Sequence, residues 1–274
     1  MQEAVHIALA GVVAIGATVA VERFGGRLGG VLSALPTTIV PASLGLAAAG
    51  SGADLRDAMA VVPVGMALNA AFLWLWRVIP PRLPATSLRR RLAMMALLSV
   101  SAWLVAAVTT VLGADALMAR GIPASALGAV AAVGLMVFGI VLCQDLPPAP
   151  KGSRRVSPLT LLMRGVLAAT AIGVAIALAH IIGPVAAGVA SVFPAIFLTT
   201  MVSLWISQGE AVPLGAIGPI VLGSSAVSVY ALVAATVMPS LGAPGAVIAW
   251  VVAVIGISVP AATYLRIARP ERAL

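Results

Sequence analysis

Charge is what this sequence has least of. Asp, Glu, Lys and Arg make up 9% of its 274 residues, where a water-soluble domain carries roughly 25%. So few charges cannot cover a globule of this length, which excludes an ordinary water-exposed fold. Cysteine is nearly missing too. The single Cys143 has no second cysteine to form a disulfide or a thiolate metal site with, and reads as a small apolar residue. The two histidines, His6 and His180, stand far apart. There is no His-Glu-x-x-His, no Gly-x-x-x-x-Gly-Lys phosphate loop and no carboxylate pair on one helix face. These absences point away from an enzyme, and they imply neither a metal nor another cofactor.

What fills the sequence instead is apolar. Hydrophobic residues reach 62% and the mean hydropathy is +1.15. They run in blocks: 92–114, 122–143 and 244–265 hold no charge at all, and each exceeds the ~18–20 residues that cross a hydrocarbon core. A β-barrel would show short segments of alternating polarity, and these are missing. The first block follows Glu3 without a basic region, unlike a signal peptide. The pattern predicts an all-α, polytopic transmembrane bundle of about nine helices, near 4–21, 30–49, 58–79, 92–114, 122–143, 159–181, 184–207, 212–238 and 244–265. Clusters of Gly, Pro and charge separate them, as at 50–57, 80–91 and 147–157.

The basic residues orient this bundle. With the N-terminus outside and the C-terminus inside, fourteen of the sixteen fall in cytoplasmic segments, and only Arg56 and Arg120 lie outside. They therefore mark a membrane boundary and not a nucleic-acid surface. The lipid bilayer is the expected partner, and the bacterial cytoplasmic (inner) membrane the expected location. Trp74, Trp76 and Trp205 read as interfacial belt residues, and Asp54, Arg56 and Asp57 as an external turn.

The chain also repeats itself. A shift of 158 residues pairs Gly25 with Gly183, Gly30 with Gly188, Ser33 with Ser191, Pro36 with Pro194, Gly65 with Gly223 and Pro81 with Pro239. The spaced Gly-x-x-Ser-x-x-Pro stands out from chance Ala/Val matches. The repeat divides the chain into 1–114 (four spans), 115–157 (one linking span and a cytoplasmic loop) and 158–274 (four spans and the tail). One extra crossing between the copies inverts the second, giving a four-one-four inverted-topology repeat.

The segment VAAGVASVFPAIFLTTMVSLWISQGE, followed by a Ser-rich helix with Tyr230, resembles the GlpM-like family of small bacterial inner-membrane proteins. A weaker echo is LGGVLSALPTTIVPASLGLAAAGSG with 72–76. The resemblance implies two fused family units joined by the fifth span. Copy one departs from the pattern in Pro41, Asp54, Arg56 and Asp57. The family has no settled activity, so the resemblance implies relatives and no reaction.

Candidate binding residues follow from the prolines. Pro36 and Pro194 each remove a backbone donor inside an apolar span, and in lipid the freed carbonyl needs protein or cavity water. Ser33, Thr37 and Thr38 stand beside one, and Ser191, Thr199 and Thr200 beside the other. Asn69, midway along its span, is either glue between helices or a substrate contact, and Ser224, Ser225 and Ser228 face the same choice. Glu22 and His180 occupy matching repeat positions at span ends, where they either gate or relay a proton or simply reach the interface. Two functions compete. One is a secondary transporter or permeation protein for a small solute, with its site near the midplane at the two prolines. The other is a non-transporting accessory or assembly protein that binds a membrane partner, with Gly128, Gly134 and Gly139 of the fifth span lining that contact. Homo-oligomerisation stays open in both.

Overall fold

The computed structural model describes residues 35–84, 86–144, 158–209 and 211–268, with Val5 and Val12. The expected first span, 4–21, and the candidates Glu22 and Ser33 lie outside the described residues. Within them all regular structure is helical. The helices are α1 (Ile39–Ala49), α2 (Gly52–Val78), α3 (Leu88–Met118), α4 (Ala124–Gln144), α5 (Pro158–Ile181), α6 (Pro184–Ala190), α7 (Ala195–Gln208), α8 (Ala211–Leu241), α9 (Ala243–Ala253) and α10 (Val259–Ala268). A 3-10 turn at Pro80–Arg82 follows α2, and a π-helical stretch at Val254–Ser258 joins α9 to α10.

Six stretches are long and apolar enough to cross a bilayer: α2, α3, α4, Pro184–Ile206 across α6 and α7, Leu214–Leu241 of α8, and Ala243–Ile267 across α9 and α10. They match six of the expected spans. The apolar segments Ile39–Ala49 and Gly165–Leu178 are shorter. The surface supports the same reading. Leu97, Val105 and Val130 are 70%, 66% and 75% exposed. Side chains of this kind, spread along α3 and α4, suit hydrocarbon and not water. The protein is a multi-pass helical membrane protein.

The core sits on α2 and α8. Two thirds of the apolar window of each is buried (67%), against 22% for α3 and 33% for α4. Close approach makes this packing work. A Cβ at Gly128 of α4 would lie 1.9 Å from the carbonyl oxygen of Ala60, and one at Gly188 of α6 would lie 2.1 Å from that of Ala58. Only glycine lets α4 and α6 press onto the α2 backbone. Gly139 meets the backbone of Leu222 on α8 in the same way, while Gly134 has nothing within 4 Å. The expectation that Gly128, Gly134 and Gly139 form an outward partner face is therefore corrected: two of the three seal contacts inside the molecule.

Two further expectations change. Asp54, Arg56 and Asp57 are not a turn but the opening of α2, six residues before the expected start of that span. Ser51 accepts from the Asp54 backbone, and the Asp54 carboxylate accepts from the Ser51 backbone N–H at 2.9 Å, which makes a capping box. Trp76 and Trp205 are not belt residues. They are 1% and 3% exposed and pack edge to face at 5.6 Å. Trp76 also donates to Ser99 at 3.2 Å, and the Arg91 guanidinium lies over the Trp205 ring. Trp74, on the opposite side of α2, is exposed as expected.

Candidate binding cavity at the helix breaks

Pro194 has no N–H to return to the carbonyl of Ala190, so the helix begun at Pro184 cannot continue through it. It stops at Ala190 and restarts at Ala195, with Pro194 at the N-cap of α7. Most of the loosened carbonyls find other donors. The backbone N–H groups of Ser191, Val192 and Phe193 bond to the oxygens of Ala187, Val189 and Ala190. The Ser191 hydroxyl donates to Gly188 at 2.7 Å. The Val192 oxygen, deepest in the break, accepts from the side-chain amide of Asn69 at 2.7 Å.

Asn69 is itself held. Its oxygen accepts from the Trp103 indole at 2.8 Å, and Trp103 meets Phe193 edge to face at 5.2 Å. The chain Trp103–Asn69–Val192 thus ties α3 and α2 to the broken helix. With 2% of its surface exposed, Asn69 would be costly to bury without these partners.

A second proline, Pro36, lies just before the start of α1. Residues 35–38 are non-helical and α1 begins at Ile39, with Thr38 at the N-cap and Pro36 buried. Thr37 turns back on Leu35 through its backbone N–H at 2.7 Å. Farther along, the Ser43 hydroxyl and the Tyr230 hydroxyl lie 2.6 Å apart, which fixes α1 to α8.

A cavity of about 70 Å³ lies between the Pro194 break and the start of α1, well above the ~10–15 Å³ that a single water needs. Leu35, Thr38 and Ile39 line it from the start of α1, and Ser191, Phe193, Ile196 and Phe197 from the Pro194 break. Asn69 and Met66 of α2 complete it, with α5 and α8 behind. No ionisable side chain is in the lining. Such a cavity offers a small solute a mostly apolar wall with a few placed polar groups.

The structure therefore brings together Thr38, Asn69 and Ser191, while Pro36 and Pro194 lie beside the cavity and outside its lining. Thr37, Thr199 and Thr200 are outside the lining. The Thr199 hydroxyl bonds to Ala195 and Ile196 of its own helix at 2.9 and 3.0 Å. His180 is exposed at the end of α5, away from the cavity. Ser224 bonds to Val221 at 2.7 Å, while Ser225 and Ser228 are buried with no hydrogen-bond partner among the described residues. No group of His, Cys, Asp or Glu among the described residues is arranged to hold a metal. Trp103 and the Ser43–Tyr230 pair were not singled out in the sequence as site residues. Trp103 carried a signal: a tryptophan at the middle of a span, where the interface cannot explain it.

The chain matches no family model, no curated protein and no solved structure.

Proposed function

We propose that the protein is a secondary transporter or permeation protein for a small solute, bound at the cavity between the two proline-broken helices. The observation that carries this reading is that one cavity is lined both by residues beside Pro36 and by residues of the Pro194 break. Transporters that build a midplane site from discontinuous helices use this arrangement.

The inverted four-one-four repeat, with nine spans, is part of the same reading. Adding 158 to the bounds of α1 gives 197–207, inside α7, and adding it to α2 gives 210–236, almost all of it inside α8. The non-helical residues 35–38 move to 193–196, overlapping the break at 191–194. These correspondences favour duplication, and the arginine distribution favours inversion with N-out and C-in. The resemblance to GlpM-like proteins and the bacterial inner membrane belong to this proposal as well.

Purified protein in proteoliposomes tests it. Saturable solute flux is expected, lowered at least tenfold by Pro36→Ala, Pro194→Ala or Thr38→Val in protein that still elutes as a single species. Full flux in all three variants would remove the cavity from the pathway.

A further inference from the structure

Residues 77–91 join the end of α2 to the start of α3 and hold five of the sixteen basic residues: Arg77, Arg82, Arg89, Arg90 and Arg91. No acidic residue lies among them. The acidic residues of the two helices stand at the far ends, Asp54 and Asp57 on α2 and Asp115 on α3. At 1.5 Å per helical residue, Asp57 is about 30 Å from Arg77 and Asp115 about 38 Å from Arg90. Both distances exceed the ~8–10 Å over which exposed charges interact in ordinary salt.

The stretch folds into one patch. The Arg91 guanidinium donates to the carbonyl oxygen of Pro80 at 2.9 Å and lies over the Trp205 ring. It thereby ties the first turn of α3 to the 3-10 turn after α2. Arg82, which donates back to the carbonyl oxygen of Val78, is exposed beside that tie, as are Arg89 and Arg90. Neither Arg89 nor Arg90 has a hydrogen bond or ion pair among the described residues. Two large apolar side chains are exposed at the same end of these helices: Leu88, which opens α3, and Trp74, three residues before Arg77.

We infer that this patch binds an anionic phospholipid, its phosphate held by Arg82, Arg89 and Arg90 and its acyl chains lying along Trp74 and Leu88. Guanidinium groups pair with phosphate oxygens two hydrogen bonds at a time. A basic residue directly beside a span strengthens binding to anionic lipid roughly fivefold. A zwitterionic lipid brings its own cationic group, and residues 77–91 offer no carboxylate to receive it. A soluble phosphate gains nothing from an exposed tryptophan and leucine, which suit the boundary of headgroup and hydrocarbon. The inference needs only that α2 and α3 cross the membrane, and it stands apart from the transport reading.

The test is native mass spectrometry of lipid bound to the full-length protein in a nonionic detergent, with phosphatidylglycerol against phosphatidylcholine and glycerol phosphate. Phosphatidylglycerol should bind at least tenfold more tightly than phosphatidylcholine, with no glycerol phosphate retained. The Arg89→Gln/Arg90→Gln protein should bind phosphatidylglycerol at least tenfold more weakly. Arg89→Lys/Arg90→Lys should keep most of the affinity, and Arg120→Gln, past the other end of α3, all of it. If the glutamine variant does not fold, thermal unfolding of the parent protein decides: phosphatidylglycerol should raise its Tm saturably, less so at high salt, and phosphatidylcholine should not. Equal affinity for the two lipids would overturn the inference. So would phosphatidylglycerol binding unchanged in the folded glutamine variant, or a Tm indifferent to that lipid. Glycerol phosphate held as tightly as the lipid would overturn the lipid as occupant.

Discussion

Replacing Asn69 with leucine keeps the number of side-chain heavy atoms and removes its hydrogen bonds to Trp103, Val192 and Met66 at once. Trp103 loses its acceptor and Val192 its donor, both where water is scarce. Side-chain hydrogen bonds inside membranes contribute about 0.6–2 kcal/mol each, so Asn69→Leu is expected to destabilise the protein by about 1–3 kcal/mol. Thermal unfolding in detergent, followed by size exclusion, would record this as a lower apparent Tm. A parent-like Tm would mean that the Trp103–Asn69–Val192 chain adds nothing to stability. Asn69 was readable from sequence because a primary amide in the middle of an apolar span demands an explanation. Its partners were not readable. The carbonyl it meets lies 123 positions along the chain, and nothing local to either residue announces the pairing.

At the scale of elements, the glycines on α4 and α6 decide how close the helices come. A single methyl at Gly128 or Gly188 would collide with a backbone oxygen of α2, which cannot rotate away as a side chain can. Gly128→Ala and Gly188→Ala are each expected to cost about 1–3 kcal/mol, the usual range for overpacking. Gly134→Ala, with open space around it, should be close to neutral. Equal stability of all three in detergent would contradict the packing described. Hydropathy located six spans well, since twenty uncharged residues leave little choice of structure. It placed the start of α2 late, because it counts Asp54, Arg56 and Asp57 as breaks. Ser51 and Asp54 instead cap the helix, and an acidic group in the first turn suits the helix dipole. It also misread Trp76 and Trp205. Both lie near span ends, where a belt is the usual explanation, and only the packing of α2 against α3 and α7 turns them inward.

For the molecule as a whole, the arginine distribution makes a claim about sidedness. In a Cys143→Ala background, Arg120→Cys is expected to react with an impermeant thiol reagent in intact cells, and Arg90→Cys only after the membrane is opened. Both positions are exposed, so burial would not hide either. Reaction of Arg90→Cys in intact cells would reverse the N-out, C-in reading and with it the basis for inversion.

The central place of α2 has a consequence for biosynthesis. The ribosome finishes α2 long before it makes α6 and α8, which together with α4 cover its buried face. In the interval Asn69 has Trp103 of α3 within reach but lacks its second partner, and the backbone oxygen of Ala58 lacks Gly188, while that of Ala60 is met earlier by Gly128 of α4. The first half of the chain is thus an incomplete surface waiting for the second, and α2 and α3 must stay soluble in the bilayer through their own apolar residues until it arrives.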